Sequence, residues 1–275
     1  MIVLRPDDQT WFDAQFDWES SLRKFGIRLP SLPSDEIQTG FTSLSGRQNL
    51  LQAFGFYGKA VEYIKSIHEP KIMDFGCGWG RISRFFLRET SPKNMYLVDA
   101  MDVAIDCLKN TNNPCNIIYN TKSPPIEGIP DGLDLIYAYS VFSHLSEKYF
   151  LDWVQYFLSK LKPGGHIVFT TRGWQFIEHL QSLRDSRGDL PSNLVAYVER
   201  LVQDMPTPAR IARNYAEGQF QWFPMAGGLE LTADFWGETF IPEKYLLEKY
   251  GSMLVSFSEN TEHVDQSIVV LRKPI

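Results

Sequence analysis

The chain has 275 residues, of which 44% are hydrophobic, and a formal net charge of −6. That length and apolar content suit one large domain, or a domain with an added cap. The acidic balance argues against binding nucleic acid or an anionic membrane surface, both of which rely on basic patches.

In chain order, residues 1–40 hold Trp11, Phe12, Phe16, Trp18, Leu22 and Phe25 among charges, then Pro30 and Pro33. One short helix and an irregular connection are expected there, with the aromatics packed on the core. Gly40 to Ser45 reads as a loop. Gln48 to Ile67 reads as a helix with Leu50, Leu51, Phe54, Val61 and Ile64 on one side, stopped by Pro70. A βα alternation follows, the pattern of a parallel sheet. Strands are expected at 71–75, 95–99, Asn116–Tyr119, Leu133–Tyr139 and His166–Thr171. Helices are expected at 80–89, at Val103–Lys109, and around Phe150, Trp153, Val154, Phe157, Leu158 and Leu161, which share one face. Ser146 is placed to cap that last helix, and Pro163-Gly164-Gly165 to end it. From Gly173 to Gly228 the alternation is lost. Helical pieces at Phe176–Leu183 and Leu194–Val202 alternate with Pro191, Pro206, Pro208 and Pro224, which predicts a folded insertion. A helix at Glu243–Tyr250 and strands at Leu254–Ser258 and Ser267–Leu271 close the chain.

No apolar run approaches membrane-spanning length, and the N-terminus, with Arg5, Asp7 and Asp8, lacks a signal-peptide core. Cys77, Cys107 and Cys115 have no paired spacing, which fits a reducing cytoplasm and no metal site. A cytoplasmic protein with no membrane and no nucleic-acid partner is expected.

The most telling run is Asp74-Phe75-Gly76-Cys77-Gly78-Trp79-Gly80-Arg81. A strand ends in an acid and passes into three alternate glycines before a charged amphipathic stretch. Glycines permit left-handed backbone and bring bare amides close to a ligand, and a helix N-terminus adds unpaired N–H groups. The spacing is G-x-G-x-G, not the dinucleotide G-x-G-x-x-G. Asp99 ends strand two about 20 residues later, where an acid is placed for ribose hydroxyls.

In these residues, and in Lys162-Pro163-Gly164-Gly165 before strand five, the sequence resembles the class I S-adenosylmethionine-dependent methyltransferases. The resemblance covers roughly 70–172 and more weakly 229–275. It implies a Rossmann-like, doubly wound α/β fold with a mostly parallel seven-stranded sheet and an antiparallel last strand. Residues 1–68 would form an N-terminal helical segment on a core of 69–172 and 229–275, with 173–228 as a cap, in a single compact unit. It also implies S-adenosyl-L-methionine as cofactor. Gly76, Gly78 and Gly80 would lie beside its methionine part, with Asp74 as the motif acid and Arg81 just behind. Asp99 would hold the ribose, Ala100 and Met101 would flank the adenine, and Asn120 would face the adenine amine or simply start a turn. Cys77 is a small filler.

Ser140 and His144 follow strand four, where the family places cofactor and substrate contacts. No Asn-Pro-Pro-Tyr occurs here, which counts against nucleobase and protein-glutamine N-methylation. His144 is therefore either a general base or a structural histidine. Arg172 either grips an acidic substrate group or pairs with an acid. Tyr215 and Trp222 either line an acceptor pocket or form cap core. The expected activity is O-methylation of a small molecule or glycan. The alternatives are small-molecule N-methylation, or a catalytically silent protein that binds the cofactor or a partner. A nicotinamide dehydrogenase is disfavoured by the glycine spacing.

Overall fold

The computed structural model describes residues 6–185, 199, 201, 203–259 and 264–275. Nine strands occur among them: β1 (Ile72–Phe75), β2 (Met95–Asp99), β3 (Asn116–Tyr119), β4 (Leu133–Ala138), β5 (Leu161–Thr171), β6 (Gln221–Pro224), β7 (Gly237–Phe240), β8 (Leu254–Ser258) and β9 (Ser267–Arg272). Seven form a sheet in the order β3-β2-β1-β4-β5-β9-β8, and β6 and β7 form an antiparallel pair of their own. β1 pairs in parallel with both β2 and β4, β2 with β3 likewise, and β8 runs antiparallel to β9 with a register shift between Leu254 and Ser256. This is the mostly parallel α/β sheet that the alternation predicts. By proximity the chain divides into two compact units, residues 1–121, 126–137 and 160–166, and residues 122–125, 138–159 and 167–275.

In the first unit the N-terminal segment holds three helices, not one: α1 (Pro6–Ala14), α2 (Trp18–Phe25) and α3 (Asp35–Thr42). Local chemistry accounts for the extra two. Asp17 accepts the Glu19 and Ser20 amides to start α2, and Ser34 accepts the Ile37 amide to start α3. α3 therefore occupies the start of the expected Gly40–Ser45 loop. α4 (Gly46–Ala60) ends in a single 3₁₀ turn at Val61–Tyr63, short of the expected Ile67. Trp11 and Phe12 are buried as expected, but Phe16, Trp18 and Leu22 are exposed. Phe12 meets Phe54 edge-on at 5.6 Å and stacks on Phe85 at 6.2 Å, while Phe86 stacks on Tyr137 at 5.0 Å. An aromatic seam thus joins α1 and α4 to α5 (Ser83–Phe86) and β4. The expected 80–89 helix shrinks to α5, because a turn occupies the residues around it. α6 (Asp102–Asn110) follows β2. β5 begins at Leu161 rather than His166 and carries the Pro163-Gly164-Gly165 run inside it. Lys162 pairs there with Asp134, and the Gly132 amide donates to Lys160 at 2.9 Å, so main-chain and charge contacts hold a stretch whose composition reads as a turn.

The second unit is organised around α7 (Glu147–Lys160), which buries Phe150, Trp153, Val154 and Phe157. Beyond β5 come α8 (Trp174–Asp185) and α9 (Pro208–Ala216), the latter with Pro208 at its first turn and Thr207 as cap. The expected piece at Leu194–Val202 lies outside the described residues except at 199 and 201. Phe176, Ile177, Leu180, Met205, Ile211 and Tyr215 cluster between α8 and α9. β6 leaves this cluster and pairs with β7, so the excursion after β5 is stitched to residues beyond 228. α10 (Glu243–Tyr250), β8 and β9 complete the unit at the expected positions.

One polar group lies deep in the first unit. Asp74 on β1 is buried and accepts a hydrogen bond from Tyr137 Oη at 2.8 Å. Burial disfavours its charged form, and with Asp99 nearby its pKa is pushed from an ordinary 3.8 up to about 8. The folded state therefore holds more protons than the unfolded chain between those values. Stability from this group is full below the unfolded pKa and declines as pH rises toward the folded one. Asp74→Asn keeps an acceptor for Tyr137 and removes the titration. Urea unfolding from pH 4 to 8.5 should show the variant gaining on the wild type across that window, with the gap level above it. A gap that does not change with pH would contradict the assignment.

Candidate functional site

In the first unit the glycine run forms a tight turn after β1. Gly76, Gly78 and Gly80 all take left-handed backbone, at φ 73°, 53° and 82°. That conformation is open to glycine and strained for other residues, which explains the alternate spacing. The Gly76 and Cys77 amides both donate to the Val98 carbonyl of β2, at 2.8 and 3.1 Å. The ring of Phe41 on α3 packs against Gly78. Cys77 is buried, and burial pushes its thiol well above the ordinary range, as suits a small side chain filling the turn.

Asp99 lies at the centre of this region. Its Oδ2 accepts the Gly78 amide at 2.8 Å and its Oδ1 the Met101 amide at 2.9 Å. Its carbonyl accepts the Asn120 amide at 2.8 Å. The turns after β1, β2 and β3 thus converge on one residue, with Ala100 and Met101 half-buried beside it. Asn120 is buried, and its Oδ1 has no hydrogen-bond partner among the described residues. A buried amide oxygen left open in this way suits a ligand N–H. Arg81 turns the other way, and its Nη1 donates to Gln52 Oε1 at 2.7 Å and Asn49 Oδ1 at 3.0 Å on α4. The structure therefore brings Gly76, Gly78, Gly80, Asp99, Ala100, Met101 and Asn120 together. Asp74 sits beneath them on Tyr137, and Arg81 anchors the turn to α4.

The second unit holds a different constellation in the segment after β4. Residues 143–146 run alongside β7, with the Gly237 amide donating to the His144 carbonyl and the Thr239 amide to the Ser143 carbonyl, both at 2.8 Å. His144 Nδ1 lies 2.7 Å from the Gly237 carbonyl oxygen. A carbonyl only accepts, so Nδ1 carries the proton and Nε2 keeps its lone pair. The Trp236 indole stacks on the imidazole, with centroids 4.4 Å apart and planes 10° from parallel. Nε2 points toward Ser140 Oγ at 3.5 Å. Ser140 takes left-handed backbone at φ 57°, unusual outside glycine, and Gln266 Nε2 donates to its hydroxyl at 2.9 Å. Burial lowers the His144 pKa; Glu238 opposes that and Arg172 adds to it.

The three residues expected to meet substrate are placed unequally. Arg172 Nε donates to Glu238 Oε2 at 2.8 Å and its guanidinium lies 3.9 Å above the Phe176 ring. Tyr215 is buried in the α8–α9 cluster with its hydroxyl on Glu259. Trp222 Nε1 reaches the His144 carbonyl at 3.2 Å, crossing Gly237 so closely that a Cβ there would stand 2.8 Å from it. Trp222 thus belongs beside His144, whereas Tyr215 belongs to the helical cluster. Sequence reasoning did not single out Glu238. An acid within the otherwise uncharged run Trp236-Gly237-Glu238-Thr239-Phe240 was its one visible signal. Among the described residues no group of acids, histidines and cysteines could hold a metal ion, and no helix is long and apolar enough to cross a membrane.

Residues 73–167 match the family of methyltransferase domains. Solved structures share the fold. DesVI of Streptomyces venezuelae is 10% identical, with a TM-score of 0.51 over 89% of this chain and 100% of that one. A Burkholderia thailandensis 1,6-didemethyltoxoflavin-N1-methyltransferase, solved with 1,6-didemethyltoxoflavin and S-adenosylhomocysteine, is 10% identical, with a TM-score of 0.50 over 100% of this chain and 93% of that one. An S-adenosylmethionine-dependent methyltransferase of Clostridium acetobutylicum is 11% identical, with a TM-score of 0.50 over 82% of this chain and 91% of that one. At such identities the likeness is one of fold. No protein of curated function matches the sequence. The glycine turn, the strand-two acid and the sheet order agree with that match, and residues 73–167 carry a methyltransferase domain.

Proposed function

We propose that this methyltransferase acts on a hydroxyl of a small molecule or glycan, with His144 taking the hydroxyl proton. The observation that carries the reading is the lock on His144 Nδ1. Its bond to the Gly237 carbonyl leaves Nε2 as the basic nitrogen, in a partly buried setting that lowers the ring's pKa and favours the neutral, accepting form. When bound, S-adenosylmethionine supplies a methyl group already activated by a positively charged sulfur. The protein's task is then to align the acceptor, exclude water and receive the proton. Trp222, fixed to the His144 carbonyl, offers an apolar face toward an acceptor, while Arg172 and Tyr215 stay with their acidic partners.

The residues of the first unit fit the cofactor. Asn120 Oδ1 is an open acceptor for the adenine amine. Asp99 accepts the Gly78 and Met101 amides on its two oxygens, and a carboxylate at this strand end is of the chemistry that accepts from ribose hydroxyls. Ala100 and Met101 supply apolar flanks to the adenine, and the bare backbone of Gly76, Gly78 and Gly80 admits the methionine part. Ser140 is assigned to the cofactor side on its place after β4. A second reading is transfer to a ring nitrogen, the reaction for which the Burkholderia protein of this fold is named. An acceptor screen with mass spectrometry and NMR of the product separates O-methyl from N-methyl, and absence of turnover with every acceptor would favour a silent binding protein.

Asp99→Ala should weaken S-adenosylmethionine binding by roughly 1.5–3 kcal/mol, and Asn120→Ala by about 1 kcal/mol, the range for charged and neutral hydrogen bonds. Calorimetry showing wild-type affinity in both would refute the cradle. His144→Ala should slow methyl transfer by about 10²–10⁴ with cofactor affinity intact. Normal rates in the folded variant would make His144 structural. Trp222→Ala should raise the acceptor KM more than the cofactor Kd, and unchanged acceptor kinetics would remove it from the pocket.

A further inference from the structure

Glu238 is a buried carboxylate of the second unit that the proposed chemistry leaves unused. It lies on β7, with its side chain only 5% exposed, and faces two groups of opposite kind. Its Oε2 accepts from Arg172 Nε at 2.8 Å, and its Oε1 lies 3.8 Å from His144 Nδ1. β7 also supplies the Gly237 carbonyl that holds Nδ1 and the Trp236 indole that covers one face of the ring. Ser140 Oγ faces Nε2, and Gln266 Nε2 donates to that hydroxyl. Among the described residues, the charged groups brought to the imidazole are thus one carboxylate from β7 and one guanidinium from the end of β5.

We propose that Glu238 and Arg172 are positioning residues that together set the proton affinity of His144. The inference rests on His144 being the base. A partly buried imidazole that accepts a proton becomes a cation in a setting with little water, and a nearby carboxylate stabilises it. A bare carboxylate at that distance would also hold the resting ring protonated and remove the base. Arg172 prevents this by occupying the other carboxylate oxygen and adding positive charge. The pair therefore tempers the ring, so that it rests neutral yet accepts a proton without creating an unpaired buried charge. The Phe176 ring beneath the guanidinium holds Arg172 in place from the far side.

The two substitutions should act with opposite sign. Glu238→Gln keeps an acceptor for Arg172 and deletes the negative charge. Arg172→Gln keeps an N–H donor for Glu238 and deletes the positive one. NMR titration of the histidine ring signals, with His144 assigned by its loss in His144→Gln, needs neither cofactor nor acceptor. The His144 pKa should fall by about one unit in Glu238→Gln and rise by about one unit in Arg172→Gln, the lower range for a charge within about 4–6 Å. The acid limb of the pH–rate profile should move with it. Shifts of the same sign, or none, in folded variants would overturn the proposal. If Glu238→Gln fails to fold, the upward shift in Arg172→Gln decides alone, and its absence counts against the pair. Loss or survival of methyl transfer in His144→Ala judges the base reading separately, since the ring titrates whether or not it serves as a base.

Discussion

The first unit depends on one carboxylate. Asp99 gathers the turns that follow three parallel strands, because its two oxygens and its carbonyl accept amides from Gly78, Met101 and Asn120. The Gly78 and Met101 amides lie in turns and are satisfied by the carboxylate, while the Asn120 amide continues the β2–β3 ladder onto the Asp99 carbonyl. Without the acid the first two would need water, and the turns after β1 and β2 would lose their common reference point. The left-handed glycines follow from the same demand. The chain must double back within five residues to present Gly78 N–H to Asp99, and only glycine does so repeatedly without strain. Arg81 and Phe41 then tie the turn to α4 and α3, so the N-terminal helices help to shape it.

In the second unit the comparable constraint is β7. It has β6 on one side and the 143–146 segment on the other, so a loop after a parallel strand acquires the backbone order of a sheet. That order fixes a histidine whose side chain would otherwise rotate freely. Gly237 is the narrow point, since a Cβ there would stand 2.1 Å from the Phe223 carbonyl oxygen. Three functions meet at this residue. Its amide and its carbonyl both bond His144, and its missing side chain lets the Trp222 indole through.

How much of this was legible depended on whether the signal was local. β3, β8 and α10 fall at the bounds read from Asn116–Tyr119, Leu254–Ser258 and Glu243–Tyr250, because short apolar runs and a helical stripe bounded by turn residues carry their own punctuation. The glycine turn and Asp99 were legible for the same reason. The caps at Asp17 and Ser34 were equally local, but they were hidden among aromatics that drew attention to packing. The early start of β5 was not legible, since Lys162–Gly165 has turn composition and is extended only because its neighbours hold it. The partners of Arg172 and His144 lie 66 and 94 positions downstream, on a strand whose pairing no periodicity announces.

The two edges of the main sheet have a further bearing, on how the protein behaves in company. A sheet edge offers unpaired amides and carbonyls that another chain can extend. One edge here is β3, only four residues long, and the other is β8, whose ladder is broken by the register shift after Leu254. Neither gives an incoming strand a long regular template. Together with a net charge of −6, which sets copies against each other, this guards the protein against edge-to-edge association in a crowded solution.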